Sequence, residues 1–313
     1  MPRQRIPDAV LTAAHERAAA RAARDWPLAD RLRAEIEAAG WKVVDRGTDF
    51  ALEPSAPATV EDGGVIRYGS SDAVPSRLGE APTGLATAVV VATDWPADVA
   101  RAVAGLRANA PAGVSIVVVA DGTSSEDDEV LDALGASVEV VRTSERLGTG
   151  ASWAIGLRRA SAPVVIVLDA SIEPVGDVVT PLVRALEDPS VGVAGGFGIV
   201  SKDLRRFEAA PDGPVTAIEG YVLAFHRADG AARGPIDERF RFYRNLDIWW
   251  SLVLRDEGEG RTPRRAVALD LPVVRHEHRG WSSLPDPERD RLSKRNFYRI
   301  IDRFGSRRDL AGA

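Results

Sequence analysis

Cysteine is absent from the 313-residue chain, which excludes disulfides and thiolate metal sites and suits a reducing compartment. No run approaches the roughly 18 consecutive apolar residues of a membrane-spanning helix. The opening Met1-Pro2-Arg3-Gln4-Arg5 leads into a polar Ala/Arg-rich stretch without the apolar centre of a secretion signal. A cytoplasmic protein with no transmembrane segment is therefore expected. A basic excess is also missing. The net charge is −6, so the whole molecule attracts neither nucleic acid nor anionic lipid, and an anionic ligand has to be held by local charge. What is present is ordinary globular material, 45% apolar and 27% charged, in a length that suits about two domains.

Three parts separate along the chain. Residues 1–54 read as a small helical and hairpin module. Val10, Leu11, Ala14 and Ala18 fall at helical spacing, and Asp25-Trp26-Pro27 interrupts. Leu28, Leu32 and Ile36 then continue an apolar face as far as Gly40. Trp41–Asp45 and Phe50–Leu52 flank Arg46-Gly47-Thr48-Asp49, a hairpin signal. Residues 55–85 are rich in Pro, Gly, Ser and Ala and read as a linker, with one short strand at Val65–Tyr68. From 86 to 313 short apolar strands alternate with helices. Strands are expected at 88–92, 115–120, 138–141 and 164–168, and helices at 96–108, 127–134 and 150–160. That alternation predicts an α/β domain whose sheet is covered on both faces. Ligands in such sheets bind beyond the carboxyl ends of the strands, which singles out Thr93-Asp94, Asp121-Gly122-Thr123 and Asp169-Ala170-Ser171.

Six segments, in order, carry a resemblance to family 2 glycosyltransferases. Val89–Thr93 is similar to the family's opening strand, and Val117–Ser124 to the strand ending in "D-D-G-S-T". Val165–Pro174 resembles the "L-D-x-D-x-x-P" segment, and Glu219–Arg227 the acceptor-side strand. Ile236-Asp237-Glu238-Arg239-Phe240 with Asn245–Ser251 resembles the block that holds the family's usual catalytic base. Val274–Ser282 resembles the late "H-x-x-G-x-S" strand end.

The resemblance runs from about residue 86 to 305 and implies a GT-A fold, a Rossmann-like mixed sheet with helices on both faces. It implies inverting transfer of a sugar from a nucleotide diphosphate-sugar to a hydroxyl of a glycan or small-molecule acceptor. Asp247 is the implied base. Thr93, Asp94, Asp121 and Asp169 are implied on the donor nucleotide, and Trp249, Trp250, His276 and His278 at the acceptor cleft. Mg²⁺ or Mn²⁺ is implied at Asp169, entering with the donor.

Each of these residues also has a plain structural reading. Asp-Gly-Thr-Ser makes good turn chemistry, and an Asp in a first helical turn is favoured in any protein. The paired tryptophans either stack on a sugar ring or fill the core. His276 and His278 alternate along an extended chain, so only one faces the cleft. Arg264, Arg265, Arg275 and Arg279 form a basic tract that either neutralises diphosphate or is solvated. The chain departs from the family where Ser171 replaces the second Asp and where Trp153 and Ala154 replace an Arg-Asn pair. Those losses keep open a catalytically silent module that binds a nucleotide, a glycan or a protein. Finally, Ala20–Ile36 with Gly40–Asp45 resembles the C-terminal tail region of cysteinyl-tRNA synthetases. Nine Lys/Arg against nine Asp/Glu in residues 1–54 leave no basic face for RNA, so a reused structural module is expected.

Overall fold

The computed structural model describes residues 6–47, 49–55 and 57–312. The pentapeptide Met1–Arg5 and Thr48 of the expected hairpin turn lie outside the described residues. The chain divides into two compact units, Met1–Ala58 and Thr59–Ala313.

In the first unit α1 (Asp8–Ala22) and α2 (Trp26–Ala38) precede the antiparallel pair β1 (Trp41–Arg46) and β2 (Asp49–Pro54). Asp25 caps α2 by accepting from the Leu28 N–H, with Pro27 in the first turn where its missing N–H costs nothing. A small core of Val10, Ala14, Ile36, Trp41 and Val43 holds the unit together. Its buried Arg17 forks onto Asp45 at 2.9 and 3.2 Å, so the charge it takes inside is paired.

The second unit starts with β3 (Val60–Asp62), β4 (Val65–Tyr68), β5 (Ala86–Ala92), α3 (Pro96–Asn109), β6 (Val114–Ala120) and α4 (Ser125–Asp132). It continues with β7 (Val138–Thr143), α5 (Thr149–Arg159), β8 (Val164–Leu168), β9 (Ile172–Pro174), α6 (Val179–Leu186) and β10 (Val191–Gly195). Then come β11 (Gly198–Val200), β12 (Glu208–Ala209), β13 (Gly213–Val215), β14 (Ala217–Ile218), β15 (Val222–His226) and α7 (Arg227–Ala232). Last are α8 (Leu246–Arg255), β16 (Arg265–Ala268), β17 (Val273–Arg275), α9 (Arg279–Ser282) and α10 (Asp286–Phe304).

Among the described residues ten strands form one mixed sheet in the order β13-β16-β10-β15-β8-β5-β6-β7-β4-β3. The central strands β8, β5, β6 and β7 are parallel, and β15 runs antiparallel between β8 and β10. Alternate side chains feed two separate cores. Val89 of β5 packs with α5 and α8 on one face, while Ala88 and Val90 pack with α3 and α6 on the other. Gly156 lets α5 lie against β5, since a Cβ there would stand 2.2 Å from Val89 Cγ1. Among the described residues no helix is long and apolar enough to cross a membrane.

The segment expected as a linker, 55–85, is mostly built into this unit. β4 pairs parallel with β7, and Val74 is fully buried. Arg77 and Thr83 donate their N–H groups to Arg158 O at 2.7 Å and Ser161 O at 2.8 Å. The buried guanidinium of Arg227 donates to the carbonyls of Arg77, Glu80 and Ala160. Proline and glycine there shape a packed strap, because the backbone groups they leave free are taken up by α5 and α7.

Candidate active site

β5, β6 and β8 end side by side, and the residues just past them open onto a cavity of ≈ 290 Å³. Thr93, Asp94, Asp121, Asp169, Asp247 and His278 all line it.

Asp121 does structural work there. Its carboxylate accepts the backbone N–H groups of Leu147 at 2.6 Å and Gly148 at 2.9 Å, with the Thr143 hydroxyl at 3.3 Å. The loop after β7 is thereby stapled across the end of β6. Burial pushes this carboxyl above its ordinary value, against the two amides, which favour the ionised form. Gly148 begins α5 at φ 96°, and a Cβ on it would stand 2.6 Å from Arg241 Cα. Thr149 and Gly150 donate their N–H groups to Arg241 O at 3.3 Å and Phe240 O at 2.9 Å. The amides of residues 147–150 are thus spent inside the protein, so the start of α5 is not a free anion site. Cationic side chains stand around it instead. Arg146 forks onto Asp94 at 2.6 and 3.0 Å, both half exposed, while Arg241 and Arg244 make no salt bridge with any described residue.

Asp169, at the end of β8, accepts the Ser171 N–H at 2.9 Å and the Ser171 hydroxyl at 2.5 Å on one oxygen. Its other oxygen is 3.3 Å from His278 Nε2. Burial alone would raise this carboxyl, but His278 and Ser171 together hold it below the usual range. Burial also works against a charge on His278, and Asp169 overcomes it, so the imidazole is raised. The His278 ring lies stacked on Tyr243 at 4.2 Å. That stack and the Asp169 pair on Nε2 set its orientation, and Nδ1 is buried with no hydrogen-bond partner among the described residues.

Asp247 stands in the first turn of α8. It accepts the Gly220 N–H at 2.8 Å and the Ile248 N–H at 2.9 Å, and burial raises its pKa. The preceding loop is anchored by the buried Asn296, which donates to the carbonyls of Phe242 at 2.8 Å and Arg244 at 2.9 Å.

Other expected site residues are not gathered at the cavity. Trp249 and Trp250 are core residues, Trp250 packing edge-on to Phe225 at 5.6 Å, because α8 is apolar nearly all round and buried along its length. His276 leaves the cleft to His278 and pairs with Glu173 at 2.7 Å beside the β9–β17 ladder. Of the basic tract, Arg264 is tied to Asp229 and Glu257, each at 2.8 Å, and Arg265 to Asp188, so neither reaches the cavity. Arg279 does line it, 3.4 Å from the buried Asp98. Sequence reasoning passed over Arg146, Glu219, Tyr221, Tyr243 and Arg244. Arg146, two residues before the Gly that opens α5, and Glu219, in Glu-Gly-Tyr before a strand, carried a usable signal.

Comparison with known proteins bears on the whole arrangement. Residues 87–245 match the family described as glycosyl transferase family 2. The structure of GalNAc-T7 with UDP, GalNAc and Mn²⁺ superposes with a TM-score of 0.55 at 18% identity, covering 70% of this chain and 48% of that one. The mannosyltransferase PcManGT from Pyrobaculum calidifontis, in complex with GDP-Man and Mn²⁺, gives a TM-score of 0.50 at 14% identity, covering 76% and 75%. At these identities the likeness establishes the fold, the GT-A kind of α/β architecture. The chain spans about half the length of the GalNAc-T7 structure. A cysteine–tRNA ligase from Opitutus terrae is 44% identical over 54 residues, which are 17% of this chain and 12% of that protein.

Proposed function

The chain belongs to glycosyl transferase family 2, and from that premise we propose that it transfers a sugar from a nucleotide diphosphate-sugar to an acceptor hydroxyl. The observation that carries this reading is the convergence of Thr93, Asp94, Asp121, Asp169 and Asp247 on one cavity. The nucleoside lies on the side of Thr93, Asp94 and Asp121. The diphosphate lies towards Asp169, with Arg146, Arg241, Arg244 and Arg279 at hand for its charge, and the sugar between Asp169 and Asp247. The acceptor oxygen attacks the anomeric carbon from the face opposite the departing diphosphate, and the bond from that carbon to the phosphate oxygen breaks. Configuration therefore inverts. Asp247 takes the acceptor's proton. Its burial makes it a stronger base than an exposed Asp, while the two N–H donors keep it aimed and favour its ionised form.

A divalent ion fits the residues present in a limited way. Among the described residues no three His, Cys, Asp or Glu side chains converge on one point. Asp169 Oδ2 and His278 Nε2 lie 3.3 Å apart and line the cavity, and they would offer an ion one carboxylate oxygen and, with the imidazole neutral, one nitrogen. Asp169 and His278 would hold such an ion together with the donor's own phosphate oxygens, and it would add positive charge where the diphosphate departs. Mn²⁺ stands in both similar structures.

Calorimetric titration with UDP, GDP, ADP and dTDP tests the premise of donor binding. At least one should bind, and silence from all four removes the proposal's foundation. The catalytically silent alternative draws on Ser171, which spends its hydroxyl on Asp169 where a second carboxylate would stand. It predicts nucleotide binding without turnover.

A further inference from the structure

Every partly or fully buried acid around the cavity has partners inside the protein, with one exception. Asp98 holds Arg101 and Arg279, Asp121 holds two amides, Asp169 holds Ser171 and His278, and Asp247 holds two amides. The partly buried Glu219 lines the same cavity, yet its carboxylate takes no hydrogen bond and no salt bridge from any described residue. Its backbone is fixed, since its N–H donates to Phe197 O at 3.0 Å. The next residue, Gly220, donates to Asp247, and the one after, Tyr221, accepts from the Asp169 N–H at 3.0 Å. Residues 219–221 thus bridge Asp169 and Asp247, the two groups between which the reading above puts the transferred sugar.

We propose that Glu219 reads the transferred sugar, its carboxylate accepting hydrogen bonds from sugar hydroxyls. Neutral hexoses are then taken and sugars bearing their own carboxylate are refused. The proposal rests on the transferase reading. A carboxylate that faces the cavity without protein donors is left to solvent there, and hydroxyl groups of a ligand can take the solvent's place. The burial of Glu219 and then the neighbouring charge of Asp247 raise its pKa, and that neighbour makes the place unfavourable to a further negative charge. Arg244 and Arg275, the latter over the Tyr221 ring at 5.0 Å, pull the other way without reversing the shift.

The test compares the wild type with Glu219→Gln and Glu219→Ala by calorimetry. The probes are UDP, UDP-glucose, UDP-galactose and UDP-glucuronate, with GDP, GDP-mannose and GDP-mannuronate beside them. In the wild type a neutral nucleotide-sugar binds more tightly than its nucleotide, and the uronate does not. Glu219→Ala should weaken the neutral nucleotide-sugar about tenfold, the loss expected for charge-assisted hydrogen bonds, and leave the nucleotide alone within about twofold. Glu219→Gln should narrow the gap between the neutral sugar and the uronate. Unchanged affinity for the neutral nucleotide-sugar in both variants, with nucleotide binding intact, overturns the proposal and leaves the transferase reading standing. If none of the probes binds the wild type, the transferase reading itself fails and this proposal with it.

Discussion

Replacing Asp121 with asparagine should destabilise the larger unit before any ligand is considered. The side chain accepts two buried N–H groups, one on each oxygen. An amide offers a single carbonyl, so its NH₂ must face either Leu147 N or Gly148 N and leave one buried donor without an acceptor. That costs about 1–3 kcal/mol. Relief from burying a charge offsets part of it, so about 2 kcal/mol is the working value. For a unit of this size such a loss lowers the thermal midpoint by about 4–8 °C. The pH dependence has a definite sign. The folded pKa is raised, so the wild type holds the stabilisation of its protonated carboxyl fully below the unfolded value and loses it as pH rises through the raised one. The gap between wild type and variant therefore narrows with rising pH. Asp94→Asn is the control, because its pair with Arg146 is half exposed and contributes about 0–1 kcal/mol. Differential scanning calorimetry without nucleotide reads both variants. An unshifted midpoint for Asp121→Asn, alongside lost nucleotide affinity, would show that Asp121 is a ligand contact and not a staple.

Other outcomes follow from the same contacts. Asp247→Asn should reduce turnover about 100-fold or more while nucleotide affinity changes less than about threefold. Wild-type turnover should fall at low pH with a midpoint above the ordinary Asp value of 3.8; a limb at or below 3.8 removes Asp247 as the base. A chain beginning at Thr59 should keep the larger unit's thermal midpoint and its nucleotide binding, whereas one beginning at Leu85 should lose both. The second cut removes β4, Val74 and two of the carbonyls that receive Arg227. Equal behaviour of the two truncations refutes the reading of residues 60–85 as part of the fold. Ser171→Asp sets a second carboxylate against Asp169, so Mn²⁺ should raise the variant's thermal midpoint more than the wild type's. No Mn²⁺ effect means that position 171 does not serve a metal.

Much of the architecture is legible in short apolar runs. β5, β6 and β8 carry Val, Ala, Ile and Leu almost without interruption because both faces are covered, and a polar residue or glycine stops each run. β10, β15 and β16 have four or five residues each and carry Gly or Ala, and the antiparallel insertion of β15 between β8 and β10 depends on partners distant in sequence. Composition misleads over 55–85. Pro, Gly and Ser there suggest a loose connector, but the anchors are a few residues such as Val74 and the carbonyls taken by Arg227. The cavity is legible in position because strand ends converge by topology. Its chemistry is less so, since whether Asp121 points at a ligand or at Leu147 N depends on the loop after β7, which no local pattern specifies. Trp249 and Trp250 show the same limit. Adjacent tryptophans on a helix look exceptional, yet a helix buried on nearly every side has room for both.

Release of nucleoside diphosphate over time decides whether the chain transfers a sugar. Purified full chain is incubated with UDP- and GDP-hexoses and a panel of hydroxyl-bearing acceptors, in parallel with Asp247→Asn. Acceptor-stimulated release by the wild type is expected from at least one neutral hexose donor, with release by the variant slower by about 100-fold or more. Nucleotide binding without release, or equal release by wild type and variant, would contradict it.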